Sequence, residues 1–107
     1  MLLRNVVSRA EFGEAKMGKV SLAAGEHLYA GLNCFLPGQE HHAHVHADQD
    51  KLYYVLAGSG QAQVGEETNP VSAGDLILAP AGVLHGLKNT GSEPLSVLVV
   101  FGPPPRK

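Results

Sequence analysis

The chain has 107 residues, 44% of them hydrophobic and 17% charged, a balance that fits one soluble globular domain over residues 1–107, because two domains would each lack a core. A formal charge of −2 with histidines neutral and a pI near 6.3 leave no basic footprint, so nucleic acid is not an expected partner. One cysteine, Cys34, precludes an internal disulfide, and residues 1–10 (MLLRNVVSRA) lack the apolar core of a signal peptide. No run approaches the ~20 apolar residues of a membrane span, so a cytoplasmic protein without a membrane partner is expected.

Glycine and proline fall mostly between short apolar or alternating runs, which is the punctuation of an antiparallel all-β sandwich or barrel. Strands are expected over residues 19–22, 28–35, 41–46, 52–57, 61–64, 75–79, 85–89 and 95–101. The breaks between them have turn chemistry: Pro37-Gly38, Gly58-Ser59-Gly60, Ala73-Gly74-Asp75 and Pro80-Ala81-Gly82 fix φ or permit positive φ. The closing PPPRK, residues 103–107, cannot extend a central strand because proline removes the ladder donor.

The chemistry concentrates in Gly38–Gly58, GQEHHAHVHADQDKLYYVLAG, where His41, His42, His44 and His46 precede an apolar run. Histidine is the commonest metal ligand, since a neutral imidazole offers one nitrogen while a hydrogen bond holds the other. Strict strand alternation puts His42, His44 and His46 on one face and turns His41 to the solvent side. The same alternation groups Lys51, Tyr53 and Val55 inward and Leu52, Tyr54 and Leu56 outward. Gln61 and Gln63 interrupt an apolar stretch on one face, as ligand contacts or as a wetted surface. Leu76, Leu78, Val97 and Val99, with Phe35 and Phe101, are the candidate apolar wall of a pocket.

Two stretches resemble the conserved motifs of the cupin superfamily. The second motif, G-x5-P-x-G-x2-H-x3-N, is met in full by Gly74, Pro80, Gly82, His85 and Asn89. The first, G-x5-H-x-H-x4-E-x6-G, is met by Gly38, His44, His46 and Gly58, with Lys51 at the glutamate position. The connection between them, residues 59–73, is short, as in small bacterial cupins. The resemblance implies a single cupin domain, a small double-stranded β-helix or jelly-roll-like barrel, with motif 1 at 38–58 and motif 2 at 74–89. It also implies a divalent metal (Zn, Fe, Ni, Mn or Cu) held by His44, His46 and His85. Asn89, Gly74, Pro80 and Gly82 are then backbone devices that position His85.

Lys51 departs from that pattern, since an inward ammonium repels a divalent cation. Three resolutions follow, in this order. His42 supplies a fourth nitrogen; Gln49 or Asp50 swings in from the turn while Lys51 turns out; or no metal binds and Lys51 serves as a cation or amine toward an anionic or carbonyl ligand. The leading functional expectation is a metal-dependent, dioxygenase-like enzyme on a small organic compound, with Tyr53 or Lys51 assisting proton transfer. A non-catalytic binding or sensing protein is the second, and a metal-free isomerase or epimerase using His85 and Tyr53 is the third. A homodimer through the outer face of Leu52, Tyr54 and Leu56 is expected.

Overall fold

The computed structural model describes residues 1–104, and part of the expectation for the proline-rich tail lies outside them, at residues 105–107. Nine strands are found among the described residues: β1 (Gly18–Ala24), β2 (Tyr29–Phe35), β3 (Glu40–His44), β4 (Asp50–Ala57), β5 (Ser59–Val64), β6 (Glu67–Ser72), β7 (Leu76–Ala79), β8 (His85–Lys88) and β9 (Leu95–Gly102). A short 3-10 turn over Val6–Arg9 precedes them. Eight of the strands lie where the sequence puts them, with ends displaced by one or two residues.

The ninth, β6, was not expected. Its sequence, ETNPVS, is polar and carries Pro70, and both features are tolerated because β6 is the edge of its sheet. Burial there falls on Val71 alone, so no alternation is left to read.

The strands form two antiparallel sheets, one of order β1-β2-β9-β4-β7 and one of order β3-β8-β5-β6. In β4 the chain alternates buried Lys51, Tyr53 and Val55 with exposed Leu52 and Tyr54, as a strand with one face on the core requires. β9 lies between β2 and β4 and reads as a nearly continuous apolar run, its interior set by Leu95, Val97 and Val99. These residues, with Phe35, Tyr53 and Leu87, make the core between the sheets.

Pairing of β3 with β8 sets one histidine-bearing motif beside the other, and His44 is the cross-strand partner of His85. Two loop bonds hold this arrangement: Gly82, at φ 79°, donates its N–H to the His46 carbonyl at 2.8 Å, and Gly38 donates to the Asn89 carbonyl at 2.9 Å. Asn89 is fully buried and closes the following turn, its amide donating to the Phe35 and Glu93 carbonyls and its Oδ1 accepting from Gly91 N–H. No helix among the described residues is long and apolar enough to cross a membrane.

Candidate metal centre

His44, His46 and His85 come together beside the pairing of β3 with β8. Each offers one ring nitrogen, and the three atoms lie within 4.8 Å of one another. The rings of His44 and His85 are 4.4 Å apart between centroids, and those of His44 and His46 are 4.6 Å apart.

The two cross-strand rings are held in one tautomer. Nδ1–H of His44 donates to the His42 carbonyl at 2.7 Å, and Nδ1–H of His85 donates to the Val83 carbonyl at 3.0 Å. A carbonyl can only accept, so the proton sits on Nδ1 and the lone pair on Nε2. Both Nε2 atoms are buried without a hydrogen-bond partner among the described residues. An imidazole oriented by a backbone carbonyl, with its other nitrogen bare, is the arrangement of a metal-ligating histidine, so this donor set fits a divalent ion. Burial, followed by neighbouring positive groups including Lys51, holds His46 below the usual histidine range. His85 is lowered as well, mainly by burial, although its bond to Val83 opposes the shift. Neutral rings are the form that ligates metal.

The strand-parity reading of the histidine run is corrected at one point. β3 carries a bulge between His41 and His44: His41 pairs with Leu87 and His44 with His85, so β3 has one more residue than β8 in that interval. The extra residue reverses parity. His42, expected to share the face of His44 and His46, points to solvent with its side chain 87% exposed and its Nδ1 paired with the Glu40 carboxylate. His41, expected at the surface, instead packs against the His44 ring, tilted by 42° at 4.3 Å between centroids, with its Nδ1 buried and unpartnered among the described residues. Burial first, then the nearby His44, Lys19, Lys51 and His85, pushes the His41 pKa down to about 3.

A cavity of about 440 Å³ opens beside the cluster, and its walls include His41, His44, His46, Gln49 and Lys51. Lys51 is 7% exposed and faces inward, its ammonium 5.4 Å from the ring centroids of both Tyr53 and Phe101. Burial, and to a lesser degree Lys19, lowers its pKa to about 8. Gln49 also lines the cavity, its Nε2 donating to the Pro103 carbonyl at 2.8 Å. Asp50 does not line it; that carboxylate is exposed and accepts from Ala81 N–H at 2.9 Å.

Tyr53 is buried and its ring centroid lies 6.1 Å from that of His85, but among the described residues its hydroxyl has no hydrogen-bond partner, and the residue does not line the cavity. Burial pushes its pKa up. Gln61 and Gln63 lie elsewhere. Ala62 between them faces the core, and both glutamines line a shallow depression with Glu40, His42 and Lys88. The apolar wall is also revised: Val99 and Phe101 line the cavity, whereas Leu76 and Leu78 are 64% and 55% exposed. Cys34 is fully buried and burial pushes its thiol pKa up, the behaviour of a small core residue.

Sequence reasoning missed His41, Lys19 and Asn33 as cavity residues. The adjacent pair His41-His42 was a signal for the first, because whatever the parity of β3, one of the two must face the cluster. A broader cleft of about 930 Å³ between residues 11–19 and β3 shares His41 and His44 with this cavity, but it lacks the convergent His46 and Lys51.

Known proteins share this fold and parts of this sequence. The protein TT1209 of Thermus thermophilus superposes with a TM-score of 0.93 at 36% identity, over 98% of this chain and 100% of that one. An oxalate-binding protein of Thermotoga maritima is 33% identical over 65 residues, 61% of this chain and 54% of that protein. Gentisate 1,2-dioxygenase of a Ralstonia species is 32% identical over 87 residues, 81% of this chain and 24% of that enzyme. The chain spans about half the length of the first curated relatives it matches. The model of the cupin domain matches residues 31–101, the segment that carries both histidine-bearing strands, and the chain belongs to the cupin family.

Proposed function

We propose that this chain is a metal-dependent cupin acting on a small organic compound, dioxygenase-like in its chemistry, with His44, His46 and His85 as the ligands of a divalent transition metal. One observation carries the reading: the Nε2 atoms of His44 and His85 are buried and bare while their Nδ1 atoms are engaged by carbonyls. Such an ion, bound by neutral donors, supplies a Lewis-acid centre with open positions for an oxygen ligand. The remaining work falls to the chain. Val99 and Phe101 give the cavity an apolar wall, Gln49 has its Oε1 as a further neutral donor, and Lys51 carries a positive charge and an exchangeable proton. The relatives named for oxalate binding and for gentisate dioxygenation support a small organic ligand.

A second reading, a protein that binds or senses such a compound without turnover, is favoured by the position of Tyr53. Its hydroxyl does not line the cavity, which leaves Lys51 and the imidazoles as the proton carriers there. The metal-free isomerase or epimerase reading has less support. It needs Tyr53 and His85 as an acid–base pair, and no hydrogen bond joins them.

Metal analysis of protein purified without added metal, followed by oxygen-uptake assays on phenolic and enediol compounds, separates these readings. The His44→Ala/His85→Ala double variant is expected to retain no metal, and Lys51→Glu to retain it more tightly by adding a carboxylate at the cavity wall. Unchanged metal content in the double variant would refute the ligand assignment. Stoichiometric metal without oxygen uptake would leave the binding reading in place.

A further inference from the structure

We propose that the cavity beside the histidines is a receptor for a small organic carboxylate, with the Lys51 ammonium as its buried counter-charge and Lys19 as a second cation at its rim; this rests on the same cavity being the ligand site.

Lysine is almost never buried unless it is paired. Lys51 is 7% exposed, and the ion pairs of the described residues, His42–Glu40 and Lys88–Glu40, do not include it. The faces of Tyr53 and Phe101, each 5.4 Å away, offset part of the desolvation cost but bring no negative charge. Among the described residues the cavity wall contains Lys19, Lys51 and three histidines but no Asp or Glu. A cation enclosed in this way is matched by an anion that arrives with the ligand.

The position of Lys51 in the chain reinforces this. In the motif match Lys51 stands at the glutamate position, so the chain itself supplies no carboxylate at that place. Leu32, Val99 and Phe101 supply apolar surface, and Asn33 adds a neutral donor and acceptor. A volume of about 440 Å³ suits a compact molecule with a charged head and a partly apolar body.

The test titrates the full chain at constant ionic strength with benzoate and oxalate, and with their neutral counterparts benzamide and oxamide, by calorimetry or ligand-observed NMR. Bound metal is measured in every sample. The acids are expected to bind at least about ten-fold more tightly than the amides, a preference lost in Lys51→Met and kept within about three-fold in Lys51→Arg. Equal binding of acid and amide to the wild type overturns the proposal. So does an undiminished preference in folded Lys51→Met. Should Lys51→Met fail to fold, Lys19→Ala at the exposed rim decides instead, with about a two- to three-fold weakening of acid binding expected and none overturning it. An acid preference that survives chelation upholds the proposal, the metal content of the untreated samples judging the metal reading separately, and retained metal with no acid preference upholds the metal reading while overturning the proposal.

Discussion

His41 and His42 are adjacent in the chain and chemically opposite in the fold. His42 is solvated and paired with Glu40, whereas His41 is packed on the His44 ring with its Nδ1 buried and unpartnered. The difference gives a stability prediction. His41 has its folded pKa at about 3, against an ordinary histidine value of 6.5, because burial and nearby cations disfavour the imidazolium. Between those values the unfolded chain binds a proton that the folded one does not, so stability falls as pH falls from 6.5 toward 3. His46 and His85 are lowered in the same sense. Chelator-treated protein is therefore expected to lose Tm steadily on acidification below pH 6.5, and His41→Gln to flatten part of that slope. A Tm constant over that range would mean the rings are solvated.

At the scale of elements, the site is a property of β3 and β8 together. A bulge in β3 decides which histidines face the cavity, and the His44–His85 register brings the second motif to the first. His42→Ala is accordingly expected to leave metal content unchanged and stability within about 0.5 kcal/mol, as for other exposed positions. Loss of metal in that variant would put His42 back among the ligands.

The elements differ in how legible they were. β4 and β9 are readable because one face or both lie on the core and the apolar pattern records it. β6 was missed because an edge strand with one buried residue has nothing to record. The bulge was missed because the alternation argument assumes one residue per pleat, and His-His-Ala-His contains no glycine or proline to mark the insertion.

For the molecule as a whole, the outer face of the five-stranded sheet is the feature left unaccounted for. Leu52 is the cross-strand partner of Leu78, and Tyr54 that of Leu76; all four are exposed and lie on β4 and the edge strand β7. An apolar patch beside an open edge is a surface at which another protein chain can dock. A homodimer is expected in light scattering at micromolar concentration, with Leu78→Asp shifting it to a folded monomer. A monomeric wild type would remove the idea.

The sequence by itself pointed to the all-β architecture through its turn residues and, through the resemblance of two spaced motifs, to the cupin family and to the grouping of His44, His46 and His85, because such motifs are local signals that survive in one dimension. It also marked Lys51 as the departure from the pattern. Only the tertiary structure decided that His41 and not His42 joins the cluster, that Asp50, Gln61 and Gln63 lie away from the cavity, and that Lys51 is buried with no counter-ion among the described residues. Those outcomes depend on a single inserted residue and on which strands neighbour each other, and both are settled by packing between parts of the chain that are remote in sequence.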